Sequence, residues 1–399
     1  MPMKHIRTIT ASEMRGINRT AILEMIRQRG PVGRSEIANY LNLSLPTVMR
    51  IVEDLIEERL VRELDETEWS GGRRRTRVEL NKHEHLTIGL DLGGTKFFGA
   101  VTDLSGKILF EERLDKHETK GEISFDLVCE LISRLLEQAE TTGKRIMGIG
   151  IGVPGVTYHD KGVVEWAPSL EWRNFPLRER ILHKFSLPTI VDNDVNLAAL
   201  GEVWFGAGRD ASNLVVINIG TGIGAGVVID GALYRGSHQM AGEIGYLLPG
   251  REYLSKVYPG FGALELLSAG AGIAQRAQAA LLEQNVQIDV EKITAEYVFE
   301  AARQKQPWAE KIIDDSIDYL TIAVAAVITF FDPEVIVLNG GVSNSASQII
   351  QPMVRLLEGR VPHIPTISVS PLGPRAAVLG AMINLLHNIS DFYIVRKIS

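Results

Sequence analysis

Apolar residues recur at helical spacing through residues 18–29 (NRTAILEMIRQR), with Ile22, Met25 and Ile26 on one face, and Gly30-Pro31 predicts the end of that helix. Residues 34–41 (RSEIANYL) carry a second, shorter helical pattern. Asn42-Leu43-Ser44 then reads as a turn, with Ser44 placed as an N-cap. In residues 45–59 (LPTVMRIVEDLIEER), Val48, Val52 and Leu55 share an inward face, which turns Pro46, Thr47 and Arg50 outward near the helix start. Residues 60–64 (LVREL) and 76–80 (TRVEL) read as two strands around a polar loop. Three helices and a hairpin predict a winged helix-turn-helix, with Pro46, Thr47 and Arg50 over DNA base edges.

From residue 86 strand patterns alternate with helical ones, which predicts an α/β body. Within it, IGLDLGGTKFFGAVTDLSGKIL (88–109) is echoed by VINIGTGIGAGVVIDGALY (216–234). Each reads as a strand, a Gly/Thr loop, a strand and a tight hairpin with Asp and Gly. The echo predicts a duplicated architecture with one loop from each half facing a shared cleft. Glycine leaves backbone N–H groups open to phosphate oxygens, and threonine adds a hydroxyl. Gly93, Gly94, Thr95 and Lys96 form one candidate phosphate loop; Gly220, Thr221, Gly222 and Gly224 form the other. Asp91, at its strand's end, can hold Mg²⁺ through water.

Three more segments bear chemistry. In PTIVDNDVNLAALGE (188–202) a strand ends at Asp192-Asn193-Asp194 and a helix begins. Asp194 is placed either as a general base toward a sugar hydroxyl or as a helix cap, and Asn193 either bonds sugar hydroxyls or turns the chain. Glu243, in GSHQMAGEIGY (236–246), either accepts two sugar hydroxyls or is a surface glutamate. Gly340 and Gly341 end a buried strand and either admit an adenine ring or make a strand-to-helix turn.

Composition narrows the class. A chain of 399 residues with 45% hydrophobic and 23% charged residues predicts two or three globular domains. Its one cysteine, Cys129, excludes an internal disulfide. The absence of a long apolar run and of a signal-peptide core predicts a cytoplasmic protein with no membrane partner. The net charge of −7 is divided unevenly: residues 1–82 hold 15 Lys+Arg against 12 Asp+Glu, and the rest hold 27 against 37. Ser70 to Arg77 (SGGRRRTR) has four arginines and no acid, so Arg73, Arg74, Arg75 and Arg77 are candidates for phosphate and minor-groove contacts; the alternative is a solvated loop.

Together these segments resemble the ROK family, the sugar kinases and sugar-responsive repressors of the actin-like ATPase superfamily. DLGGTK and NIGTGIGAG resemble its phosphate loops, and VDNDVNLAALGE its catalytic segment. GVVEWAPSLEW, GSHQMAGEIG and ALELLSAGAG resemble its sugar-binding segments, and the head with GGRRRTRVEL resembles its repressor branch. The resemblance implies a winged head (1–82) and a two-lobed, ribonuclease H-like sugar-kinase fold: a first lobe of 83–203 with the C-terminal segment 381–399, and a second of 204–380. It implies Asp194 as catalytic base, and Asn193, Asp194, Glu243 and Glu265 as sugar ligands. Two departures stand out. Tyr246 replaces a family histidine and YLSKVYPGFGALE has no cysteine, so the ligands of the family's structural zinc are missing and no zinc is expected. Packing of Tyr253, Tyr258 and Phe261 is expected to hold that loop instead. Ser169 stands where many members have asparagine and, with Tyr246, is placed to alter the choice of sugar.

The implied protein is a sugar-responsive transcriptional repressor of carbohydrate-utilisation genes. Its partners would be duplex operator DNA and a sugar or sugar phosphate, and it would act as a homodimer or dimer of dimers. The alternative is a sugar kinase using Mg-ATP on a hexose or N-acetylhexosamine, with or without regulation. A third reading is a carbohydrate-binding module that acts through a protein partner.

Overall fold

The computed structural model describes residues 11–64, 76–82, 84–117, 119–284 and 292–388. Helix α1 (Ala11–Arg29) starts well before residue 18, where the apolar period becomes regular, and buries Ile22 and Ile26. The short strand β1 (Val32–Gly33) leads into α2 (Arg34–Tyr40) and α3 (Leu45–Glu57). Ser44 caps α3 by accepting the Thr47 N–H, and Val48, Val52 and Leu55 are fully buried. Strands β2 (Val61–Leu64) and β3 (Arg77–Leu80) pair antiparallel, and β1 adds to the far side of β3. The wing therefore has three strands rather than the two its alternation predicts.

A knot of hydrogen bonds joins head to body. The Glu84 carboxylate accepts from Arg59 Nη1 (2.8 Å) and Asn81 Nδ2 (2.7 Å), while its carbonyl accepts the Arg145 N–H (3.1 Å).

The body then runs β4 (His85–Leu92), β5 (Lys96–Asp103), β6 (Ile108–Asp115), α4 (Gly121–Glu140) and β7 (Arg145–Val153). A small antiparallel sheet follows, made of β8 (Val156–Tyr158), β9 (Val163–Ala167) and β10 (Trp172–Phe175). Next come α5 (Leu177–Phe185), β11 (Thr189–Asn193) and α6 (Asp194–Phe205). The first large sheet has the order β11-β7-β4-β5-β6.

The second half repeats the plan with β12 (Leu214–Ile219), β13 (Ile223–Ile229) and β14 (Ala232–Tyr234). After helices α7 (Ala263–Ser268), α8 (Gly270–Glu283), α9 (Ala295–Arg303) and α10 (Pro307–Phe331) come β15 (Val335–Asn339), α11 (Ala346–Leu357), β16 (Thr366–Val369) and α12 (Arg375–Asn388). This sheet has the order β14-β13-β12-β15-β16. Both sheets thus place two antiparallel hairpin steps beside two parallel strands, which is the duplication that the sequence echo predicts.

Helices α6 and α12 cross in the centre of the body, α6 also packing on β12 and β13, and α12 on β4 and β7. Their contact is backbone to backbone. A methyl group on Gly380 would come within 1.7 Å of the Leu197 carbonyl oxygen, so only glycine fits there.

Candidate functional site

The two glycine loops meet across the cleft. A methyl group on Gly94, between β4 and β5, would touch Thr221 Oγ1, between β12 and β13, at 2.7 Å. Within the loops, Gly93 N–H donates to the Lys96 carbonyl and Gly220 N–H to the Gly222 carbonyl, each at 3.0 Å. Gly93, Gly94, Thr95, Lys96, Gly220, Thr221 and Gly222 therefore share one opening. Gly224 sits beside Val195 at the start of α6, joining the second loop to that helix. Gly340 has a positive φ of 90° and packs against the Ile219 carbonyl, so its glycine serves the turn after β15. Gly341 is exposed, and a methyl group there would meet only Glu296 Oε1, at 3.7 Å.

At the base of the cleft β11 runs straight into α6. Two adjacent residues are competent to cap this helix, and Asn193 does it: Oδ1 accepts the N–H groups of Val195 and Asn196, both at 3.0 Å, and Nδ2 donates to the Gly155 carbonyl (3.0 Å). Asp194 is left in the first helical turn, where its Oδ1 accepts the Val195 N–H (2.9 Å). Of the two alternatives for each residue, the geometry favours chain turning for Asn193 and an available carboxylate for Asp194.

Asp91, Asp194, Glu243 and Glu265 line this base, each partly open to solvent. Burial raises all four. It carries Asp91 to about 8, helped by the negative charge of Asp194 and opposed by Lys96. It carries Asp194 to about 6 against the pull of the Val195 N–H, and Glu243 to about 7 with help from Asp194 and Glu265. Burial raises Glu265 against the pull of the N–H groups it accepts from Gly262 (2.6 Å) and Ile223 (2.9 Å). Those two bonds tie the start of β13 to the start of α7, so Glu265 builds the wall of the site as well as facing it. They also account for Gly222, where a methyl group would lie 2.3 Å from Glu265 Oε1.

Tyr246 lies beside Glu243 and Glu265 and donates its hydroxyl to the Gly260 carbonyl (2.7 Å), closing the loop at its ends. Tyr253 supports the loop by donating to the Tyr319 hydroxyl on α10 (3.0 Å), and Phe261 stands near Gly222. The Tyr258 hydroxyl is buried without a hydrogen-bond partner. Ser169 sits in a 3-10 turn, and its carbonyl accepts the buried Lys116 Nζ (2.7 Å).

Sequence reasoning missed a buried ion pair beside this centre. Asp192, 1% exposed, meets Arg235 Nη2 at 2.6 Å and also accepts Asn384 Nδ2 (3.1 Å). The pair ties the end of β11 to the loop that carries Glu243 and to α12. Its partners are distant in sequence, and the only local signal is a third carboxamide or carboxylate in the run Asp192-Asn193-Asp194.

In the head, Pro46 and Arg50 are exposed at the start of α3, together with Leu45 and Met49. Thr47 is half-buried, and its hydroxyl bonds Ser44 Oγ (2.7 Å). Arg77 lies on β3 within 3.9 Å of Glu36, and Arg73, Arg74 and Arg75 lie outside the described residues.

A two-lobed body with paired glycine loops over an acidic floor, behind a helix-turn-helix head, meets its match in known proteins. The ROK family model matches residues 87–387, and an IclR helix-turn-helix domain matches residues 20–65. The chain belongs to the ROK family. It is 31% identical to a putative xylose repressor of Caldicellulosiruptor sp. (strain Rt8B.4), over 94% of this chain and 97% of that one. A crystal structure of a ROK family transcriptional regulator, a homologue of the E. coli MLC protein, superposes with a TM-score of 0.79 at 26% identity, covering 95% of this chain and all of the other. A ROK glucokinase from Streptomyces griseus in complex with glucose and AMPPNP superposes at 0.65 and 28% identity, covering 75% and 98%. Head and body together make this chain a DNA-binding transcriptional regulator of that family.

Proposed function

We propose that this regulator is a repressor of carbohydrate-utilisation genes whose grip on its operator is set by a sugar or sugar phosphate in the cleft. The observation that carries the reading is the exposed start of α3, with Pro46 and Arg50, on a head joined to a sugar-kinase-like body. On this reading α3 enters the major groove, Thr47 keeps the helix start in order through Ser44, and the arginines of the wing, including Arg77, contact phosphates. A homodimer suits a two-fold operator. The likeness to a xylose repressor over almost the whole chain supports a pentose or hexose effector. The place of action is the cytoplasm, where operator and sugar meet; among the described residues no helix is long and apolar enough to cross a membrane.

Asp194 and Glu243 would accept the sugar hydroxyls, with Glu265 holding the wall behind them and Ser169 and Tyr246 shaping the rim. Hydroxyl donors replace water on carboxylates that protein burial leaves poorly solvated, so each bond formed there is favourable. The test is fluorescence anisotropy on labelled duplexes from upstream of sugar-utilisation genes, with D-xylose, D-glucose and N-acetylglucosamine added in turn. A salt-sensitive complex released by one of these is expected. Failure to bind any such duplex more tightly than random DNA overturns the reading.

One observation favours a second activity. Asn193 carries the cap of α6, which supports Asp194 as the group that would take the proton of a sugar hydroxyl. The paired loops fit Mg-ATP, which would supply the phosphoryl group. Gly93, Gly94, Thr95 and Lys96 with Gly220, Thr221, Gly222 and Gly224 would hold its phosphates, Asp91 its magnesium, and Gly340 and Gly341 would flank the adenine. Coupled ADP release over a panel of hexoses and N-acetylhexosamines tests this. Turnover that disappears in Asp194→Asn supports it, and no turnover with any sugar refutes it.

A further inference from the structure

Helix α6 joins two places with different tasks. Its cap, Asn193, and its first residue, Asp194, lie at the floor of the cleft. Its last two, Trp204 and Phe205, lie under the head, about 16 Å away at the usual rise per residue. Between them Val195 to Val203 is almost wholly buried and crosses α12 through glycine contacts. A helix packed this tightly moves as a unit.

The head contact is built around Arg27 of α1. Its guanidinium makes two parallel bonds to Glu24, from Nε (2.9 Å) and Nη2 (2.8 Å), with side chains only 11% and 13% exposed. Locked in that plane, it lies 4.9 Å from the ring centre of Trp204 and 5.2 Å from that of Phe205. Both rings are braced from the body side. Phe205 packs on the turn between β5 and β6, where a methyl group on Gly106 would meet it at 2.4 Å. Trp204 meets the His387 ring of α12 edge-on at 5.8 Å. Burial and the charge of Arg27 hold His387 down at about 4, so it stays neutral beside the cation at neutral pH. The end of α6 is itself pinned, because the buried Glu202 accepts the Ala207 N–H (2.9 Å) and the Ser370 hydroxyl (2.5 Å).

We propose that Arg27 is a positioning residue that couples the cleft to the DNA-binding head, with α6 as the strut between them. A ligand that shifts Asn193 and Asp194 shifts Trp204 and Phe205 with them. Arg27 converts that shift into a change in how α1, and α3 packed on it, are presented to DNA. The inference rests on the regulator reading given above.

The test uses the full chain and a duplex selected from random DNA by the wild-type protein. Its affinity is measured by anisotropy with and without saturating D-xylose, D-glucose or N-acetylglucosamine, and sugar binding is measured separately by calorimetry. Coupling between sites commonly spans about 5- to 150-fold. In Arg27→Gln we expect the sugar affinity to stay within about twofold of wild type while the sugar-dependent change in DNA affinity falls at least threefold toward none. Arg15→Ala, which removes a head ion pair to Asp54 away from this contact, should keep the full response. If Arg27→Gln folds poorly, Arg27→Lys makes the same comparison, since it keeps a cation over the rings without the paired bonds to Glu24. A full wild-type sugar response in the Arg27 variants overturns the proposal. A wild-type protein that binds DNA but answers to none of the sugars fails one step earlier, at the regulator reading, and the coupling falls with it.

Discussion

Replacing Glu243 with glutamine should stabilise the ligand-free protein, and by more at high pH than at low. Burial first, then the charges of Asp194 and Glu265, pushes this carboxyl from its ordinary 4.5 to about 7. The folded state therefore holds the proton more tightly than the unfolded chain. The stability that goes with the protonated form is complete below pH 4.5 and is lost as pH rises toward 7 and beyond. Each tenfold in proton affinity is worth about 1.4 kcal/mol, so between pH 5 and pH 8 this one group removes roughly 2.5 kcal/mol from the wild type. Glutamine has the same shape and does not titrate. For the body, at about 2.1 cal/mol/K of unfolding entropy per residue, the difference corresponds to about 4 °C. Melting followed by circular dichroism at pH 5 and pH 8 reads it directly. The Tm advantage of Glu243→Gln should be about 4 °C larger at pH 8. An advantage equal at both pH values would show that Glu243 does not carry its proton at neutral pH, and the account of the acidic floor would be wrong.

Three more predictions follow from the same geometry. Sugar affinity by calorimetry should rise severalfold from pH 6 to pH 8, because the ionised form of Glu243 accepts hydroxyls, and a flat profile would remove it from the ligand shell. Asn193→Ala should lose about 1–2 kcal/mol in urea unfolding, since it strips the cap of α6 and the bond to Gly155; a loss within error would mean that Asp194 takes over the cap. Arg235→Ala should cost about 3–5 kcal/mol by leaving Asp192 charged and unpaired in the interior, and adding Asp192→Asn should restore at least half of it; no restoration would refute the ion-pair explanation.

Much of the local structure was legible in the sequence. The apolar period located α2 and α3, and the hydroxyl of Ser44 is bonded as its position before Leu45 predicts. The repeated strand–glycine–strand pattern anticipated two sheets of one plan and two loops in one cleft. These features are set by neighbours within a few residues, whose propensities and periodicity a linear text records. Strand β1 escaped because two residues are too few to show alternation, and its pairing with β3 depends on where the wing folds back. The start of α1 escaped because its first turns lack a regular apolar face.

The site divides in the same way. The residue types were legible: glycines and threonines for phosphate, and carboxylates for hydroxyls. Their duties were not. Asn193 and Asp194 are both good caps by composition, and only the approach of Gly155 decides that Asn193 caps while Asp194 stays available. Glu265 becomes a structural tie because β13 happens to lie against α7, and Asp192 becomes the partner of Arg235 only when β14's loop returns beside β11. Arg27 looks like any surface arginine of an amphipathic helix until Trp204, Phe205 and His387 close around it. The sequence by itself determined what each segment becomes, because backbone preference and burial period act locally. The tertiary structure alone decided which donor meets which acceptor, because those pairs are chosen by distance in space between residues far apart along the chain.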